Sequence, residues 1–180
     1  MISLITEDKL ASLLTCLAQV RDVPGFAAEC GVYHGATLRA IAVECPHRTV
    51  IGFDTFSGLP GSAWSPDEVH RVGDFSDVDL DEVLHNVADL VNIRLVPGVF
   101  PASAAACGAM RFAFVHVDVD FHKSTKAAID WFLPRMNAGG VMVFDDYGWE
   151  MCPGVKRAID EAGLLVEATA NFQVAHRVGQ

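Results

Sequence analysis

The apolar residues near the start of the chain, Leu10, Leu13, Leu14 and Leu17, recur at i, i+3, i+4 and i+7. That spacing lines one helix face, with Thr6 as its cap and Val23-Pro24-Gly25 as its break. The pattern then shortens. Residues 25–31 are a compact apolar run containing Glu29, and residues 35–42 return to helical spacing, which predicts strand, turn, helix. Residues 48–54 (RTVIGFD) are β-rich and end on Asp54. A Gly/Pro/Ser-rich stretch follows from 57 to 66, and 57–78 is the one segment long enough for a mobile lid. Leu80, Val83, Leu84, Val87 and Leu90 share a helix face over 79–91, and 92–96 form a strand candidate ended by Pro97-Gly98. Residues 112–118 (FAFVHVD) are a buried strand by composition. Residues 124–133 read as a helix capped by Ser124, and a turn at Asn137-Ala138-Gly139-Gly140 leads into a strand over 141–145. A helix over 153–162 starts on Pro153, and the pieces 164–168 and 172–177 make a hairpin.

Strands alternating with helices predict an α/β fold: a parallel sheet covered on both faces and closed by an antiparallel edge. At 180 residues, 51% apolar and 20% charged, the chain fits a single domain, residues 1–23 forming an N-terminal helix ahead of a core over 24–180. Disorder is excluded as a global description. The net charge of −10 repels phosphate backbones and anionic lipid surfaces, which argues against nucleic acid or a membrane as partner. It suits cationic ligands. No apolar run reaches the roughly 18 to 20 residues of a bilayer span, and Glu7, Asp8 and Lys9 interrupt anything like a signal peptide. Five scattered cysteines without a C-x-x-C pair predict reduced thiols and a cytoplasmic protein.

In an open α/β sheet the ligand sits beyond the carboxyl ends of the strands, so the residues there carry the chemistry. Four of the five parallel strands end on or beside an acid: Glu29, Asp54, Asp118 with Asp120, and Asp145 with Asp146. The first strand-to-helix turn, Glu29-Cys30-Gly31-Val32-Tyr33-His34-Gly35, places two glycines where a backbone could approach a ligand closely. Gly31 and Gly35 equally suit a tight turn and a helix contact. G-x-G-x-x-G is absent, which argues against the usual pyrophosphate cradle. Asp54 stands where a carboxylate accepts hydrogen bonds from ribose hydroxyls.

Asp118, Asp145 and Asp146 form a second constellation. Like charges on neighbouring strand ends repel unless protonated or bridged by a cation, and oxygen donors without a matching Cys or His cluster suit Mg²⁺. Asp145 and Asp146 point to opposite faces of a regular strand, so both can serve only if the strand has turned, as Tyr147-Gly148 allows. Helix capping by aspartate is the competing reading. His116 reads as a packed residue of the strand, His122 as a loop residue that could face an acceptor, and His34 as a turn residue whose backbone matters more than its ring.

The stretches PGFAAECGVYHGATL, GFDTFSGLP, GDFS, VPGVFP, HVDVDFHKSTKAAIDWFLPRMNAGGVMVFDDYG and PGVKRAID resemble, in order, the macrocin-type (sugar) O-methyltransferases. These are a metal-dependent branch of the class I S-adenosylmethionine methyltransferases. The resemblance runs from about Pro24 to Asp160. It implies a Rossmann-like sheet of seven strands, mostly parallel with an antiparallel C-terminal hairpin, and helices on both faces. It implies that Glu29, Gly31 and Gly35 surround the methionine part of S-adenosylmethionine and that Asp54 holds the ribose, with Ser57 in the loop beyond also binding the cofactor. Asp74 and Phe75 then border the adenine, and Asp118, Asp145 and Asp146 hold Mg²⁺, with Asp120 in a supporting role. A hydroxyl of a sugar or other small metabolite is the expected acceptor, with Asp118 as general base and His122 as second choice.

Two departures from the family stand out. Longer members carry extra N-terminal residues that help cover the acceptor, whereas here about 23 residues precede the first strand. Cover then has to come from internal loops or a second subunit, so a homodimer is one expected assembly. The tyrosine and acid often found before S-T are here His122 and Lys123. Rival readings are a nicotinamide oxidoreductase, a metal-independent methyltransferase and a cofactor-binding protein without turnover.

Overall fold

The computed structural model describes residues 4–179. Its elements follow the order α1 (Glu7–Gln19), β1 (Phe26–Cys30), α2 (Ala36–Glu44), β2 (Val50–Asp54), α3 (Leu80–Asn86), β3 (Ile93–Pro97), β4 (Phe112–Val117), α4 (His122–Phe132), β5 (Met136–Phe144), α5 (Pro153–Glu161), β6 (Glu167–Ala170) and β7 (Gln173–Arg177). A 3-10 turn over Ala102–Cys107 joins β3 to β4, a piece absent from the hydrophobic pattern because its alanines carry no periodicity.

The seven strands form one sheet in the order β3-β2-β1-β4-β5-β7-β6. β3, β2, β1, β4 and β5 run parallel, while β7 pairs antiparallel with β5 and β6 with β7. The strand order reverses between β1 and β4, where an open sheet leaves a crevice for a ligand. Alternation along each strand divides the core. Leu13, Leu17, Leu38, Ile41 and Val83 bring α1, α2 and α3 against Val50, Phe114 and Val143 on one face. Ile129, Phe132, Val155 and Ile159 bring α4 and α5 against Phe53, Phe112 and Phe144 on the other. Helices therefore cover both faces, as the alternating pattern predicts. All five cysteines are buried and unpaired. No described helix is long and apolar enough to cross a membrane.

Three local expectations are corrected. The helix placed at 124–133 with Ser124 as cap starts two residues earlier, with Phe121 at the cap position, because Glu68 reaches from the preceding loop and its Oε1 accepts from His122 N at 2.8 Å. The turn expected at 137–140 lies inside β5. Its pairing with β4 jumps from Phe112↔Met136 to Phe114↔Val141, so the extra residues form a bulge that bonds to Val178 instead of reversing the chain. The helix expected over 79–91 stops at Asn86. The segment 57–78, long enough for a mobile lid, contacts the helices through Glu68 on His122 and Arg157 on Asp67.

The end of α1 is fixed by one side chain from the turn before β2. The buried Arg48 guanidinium donates to the carbonyls of Val20, Arg21, Val23 and Gly25, gathering the acceptors of the turn that leads from α1 to β1. Arg48→Met would leave these acceptors buried without a donor. Urea unfolding is expected to show a loss on the order of 3 kcal/mol, the scale of charged hydrogen bonds to buried carbonyls.

Candidate active site

A cavity of about 620 Å³ opens at the carboxyl ends of β1, β2, β4 and β5, a size that suits a small-molecule site. Its wall includes Gly31, Tyr33, Asp54, Phe75, Asp118, Asp120, Asp145 and Asp146, and on one side the start of α1 from Leu4 to Lys9. Gly31 fixes the floor. At φ +94° its Cβ would lie 1.7 Å from the Asp118 carbonyl oxygen, so β1 and β4 can close together only through glycine. Five non-glycine residues of the wall, Tyr33, Phe75, Asp120, Asp146 and Phe172, hold φ between +49° and +63°. Left-handed backbone at such residues costs energy and concentrates where a structure is shaped for binding.

Asp54 closes the first turn. Its Oδ2 accepts from the backbone N–H of Val32 at 2.7 Å and of Tyr33 at 3.0 Å, and its Oδ1 from Phe56 N at 2.8 Å. The carboxylate expected to hold a ribose thus also folds the β1–α2 and β2 turns around the cavity.

The carboxylates of β4 and β5 meet in low-dielectric surroundings. Burial and the charges of Asp145, Asp146 and Asp120 push the Asp118 carboxyl well above the usual range. Burial and Asp146 push Asp120 up to about 6. Asp145 escapes this. Burial alone would raise it, but His116, Lys9 and the Gln173 amide, which donates to Oδ1 at 2.7 Å, bring it below its ordinary value. His116 stands between Glu29, 2.9 Å from Nδ1, and Asp145 Oδ1, 3.6 Å from Nε2. Burial pulls its imidazolium down, yet these two carboxylates hold it well above the usual histidine value. Lys9 Nζ donates to Asp146 Oδ1 at 2.8 Å and lies 3.7 Å from Asp145 Oδ2.

Ligand atoms of His116, Asp118 and Asp145 converge within 4.8 Å of one another, as do those of Asp118, Asp120 and Asp146. The oxygen donors fit a hard divalent cation, and the raised carboxyl of Asp118 marks negative charge that a cation would relieve. Asp118, Asp145 and Asp146 are not drawn into one group; Asp118 joins each neighbour separately. The turn needed to present both Asp145 and Asp146 is present, since β5 ends at Phe144 and Asp146 has φ +63°.

Not every candidate reaches the cavity. Glu29 is buried beneath it against His116, and Gly35 caps α2 behind it at φ +85°. Ser57 is exposed, and Asp74 turns back to accept from Arg71 N at 2.8 Å, leaving Phe75 as the wall residue. His122 is corrected as a site residue: its Nε2 faces Glu161 Oε2 at 2.8 Å, outside the wall. Asp120, taken from the sequence as supporting, lines the cavity. Lys9 was missed. The signal was its place one turn before Leu13 on the buried stripe that continues through Cys16 and Val20, where a lysine needs a partner.

A family model described as Macrocin-O-methyltransferase (TylF) matches residues 1–169. Demethyldecarbamoylnovobiocin O-methyltransferase of Streptomyces niveus is 30% identical over 170 residues, covering 85% of this chain and 64% of that protein. A tetracenomycin-C 4'-O-methyltransferase of Streptomyces olivaceus acting on a dimethoxy-rhamnosyl substrate is 29% identical over 161 residues, covering 80% of this chain and 62% of that protein. The chain thus spans less than two thirds of the length of these two relatives. The structure of the O-methyltransferase NovP superposes with a TM-score of 0.85 at 26% identity, covering 99% of this chain and 82% of that one.

Asp54→Ala is expected to cost about 3 kcal/mol or more, since three backbone N–H groups lose their acceptor at roughly 1–3 kcal/mol each. Chemical denaturation with and without S-adenosylmethionine checks this; the stabilisation by the cofactor should fall along with the intrinsic stability.

Proposed function

Because the chain belongs to the Macrocin-O-methyltransferase (TylF) family, we propose that it is an S-adenosylmethionine-dependent O-methyltransferase acting on a hydroxyl of a sugar or other small metabolite, with Mg²⁺ at its carboxylate cluster. The observation that carries this reading is convergence. Gly31, Asp54 and Phe75 from the motifs assigned to the cofactor share one cavity with Asp118, Asp145 and Asp146 from those assigned to the metal.

S-adenosylmethionine supplies an electrophilic methyl carbon for in-line displacement by oxygen. Mg²⁺ supplies Lewis acidity that lowers the pKa of an acceptor hydroxyl otherwise protonated at pH 7. The chain's own residues do the rest. The glycine floor at Gly31 lets a ligand lie against the β1 turn, and the negative wall favours a sulfonium. Tyr33 and Phe75, edge to face at 5.8 Å, offer an apolar flank. A proton acceptor must be a cavity carboxylate free of N–H donors. Asp54 accepts three N–H bonds, Asp145 is held by Gln173 and Asp146 by Lys9. Asp118 and Asp120 remain. With Asp118 engaged as a ligand, Asp120 takes the hydroxyl proton in this reading; its one hydrogen-bond partner among the described residues is the weak Cys152 thiol at 3.3 Å. The buried free thiols support a reducing, cytoplasmic setting.

S-adenosylmethionine at about 100 times its Kd is expected to stabilise the protein by roughly 2.7 kcal/mol, read as a rise in Tm. No shift at millimolar cofactor would overturn the assignment. Transfer of labelled methyl to a panel of sugars and small hydroxylated compounds should be lost with EDTA and restored by Mg²⁺, and Asp145→Asn should lower the rate at least about a hundredfold. Full activity in EDTA would make the aspartates structural and the enzyme metal-independent. Cofactor binding without turnover on any acceptor would favour a binding protein.

A further inference from the structure

We propose that Lys9 is the resident cation of the carboxylate cluster, and that a divalent ion enters by displacing its ammonium, so that occupancy of the site is coupled to the position of α1. This rests on the reading of Asp118, Asp145 and Asp146 as a cation site.

The ammonium sits between two of the cluster's carboxylates. Lys9 Nζ lies 2.8 Å from Asp146 Oδ1 and 3.7 Å from Asp145 Oδ2, with its side chain only 13% exposed. Both carboxylates belong to the segment that follows β5, whereas Lys9 comes from α1, 136 and 137 positions earlier in the chain. A divalent ion taking oxygens from the same carboxylates would face this positive charge at close quarters. Like charges sharing one pair of acceptors in a poorly solvated site repel strongly. The carboxylate arrangement agrees. Asp118 converges with Asp145 in one group and with Asp146 in another, while the Asp145–Asp146 pair is spanned by Lys9.

Displacement has a structural consequence because Lys9 is not on a free arm. Leu13, Cys16 and Leu17, further along the same helix, are buried against the sheet, and Gln173 Nε2 donates to the Lys9 carbonyl at 3.2 Å while also binding Asp145. Ahead of Lys9, residues Leu4, Ile5 and Thr6 form part of the cavity wall. When the ammonium leaves, the buried half of α1 stays anchored and its first turn loses its one ionic tie to the cluster. The wall beside the substrate space is then loosened by the same event that loads the metal, leaving the Gln173 hydrogen bond to the Lys9 carbonyl as its remaining tie to Asp145 among the described residues. An unloaded site keeps that wall drawn in and its carboxylates neutralised.

The test uses the full chain with Mn²⁺ as probe, its free concentration followed by electron paramagnetic resonance. Lys9→Met is expected to bind Mn²⁺ about tenfold more tightly than the parent chain, and Lys9→Arg, which keeps the charge, within about threefold of it. Hydrogen exchange of the amides of residues 6–12 in the parent chain should speed up on adding Mn²⁺, and in Lys9→Met should be fast already and indifferent to the ion. Equal or weaker binding by Lys9→Met would overturn the proposal and leave the cation site standing. Absence of Mn²⁺ binding by every chain would overturn both together. Should Lys9→Met fail to fold, the exchange measurement on the parent chain decides: acceleration over residues 6–12 supports displacement, and no change overturns it.

Discussion

Acidic and basic groups alternate in a row behind the carboxyl ends of β1, β4 and β5: Glu29, His116, Asp145, Lys9, Asp146. Each is held by its neighbours, and removing one strips the next of its partner in surroundings that solvate it poorly. Glu29 lies under the β1 turn, His116 in mid-sheet, the aspartates beyond β5 and Lys9 on α1, so the row joins four separate elements. Asp118 and Asp120 stand beside it without such compensation, and their raised carboxyls record this. Of the acids that face the cavity, Asp54, Asp145 and Asp146 are balanced by their neighbours, whereas Asp118 and Asp120 are not.

That arrangement depends on the close approach of β1 and β4. Gly31 has no Cβ because the Asp118 carbonyl occupies the space, and the Asp118 N–H donates to the Cys30 carbonyl at 2.9 Å. The contact puts the cofactor-side turn and the carboxylate cluster in the same cavity at the point where strand order reverses. Asp54 completes the frame from β2 by gathering the N–H groups of two turns. On the proposed function, proximity of a methyl donor to an acceptor oxygen would be a property of the sheet itself, which positions groups more rigidly than loops can.

Much of this was legible because it follows from period and composition. The apolar runs of β2 and β4 are buried on both faces and could be little else, and the acids that follow them are where an open sheet must place its chemistry. That Asp118, Asp145 and Asp146 line one cavity was legible for the same reason, although Asp118 meets the other two in separate groups. What escaped the sequence was decided by distant contacts. Ser124 has the chemistry of a cap, but Glu68, 54 positions before His122, starts the helix earlier. The Asn-Ala-Gly-Gly stretch has the chemistry of a turn, but Val178 at the far end of the chain pairs with it and makes it a bulge. His122 stands near Asp120 in sequence and on the other side of the helix start in space, paired with Glu161. Lys9 could be suspected from its stripe, but its partners lie more than 130 residues away.

On the proposed function, acceptor choice would belong to the part of the wall that the sheet does not dictate. The loop over 55–79 contributes Leu59, Pro60, His70 and Phe75, yet it is pinned through Glu68 and Asp67 to α4 and α5, so it offers a shaped surface and not a free flap. Opposite it stand Leu4 and Ile5 ahead of α1, with Asn171 and Phe172 from the β6–β7 turn. One side of the substrate space is therefore built into the core through buried helices, and the other is held by α1, which meets the carboxylates through a single ammonium. On that side the wall residues ahead of α1 and the Lys9 ammonium belong to one short segment, so the lining of the cavity and the neutralisation of its carboxylates depend on the same stretch of chain.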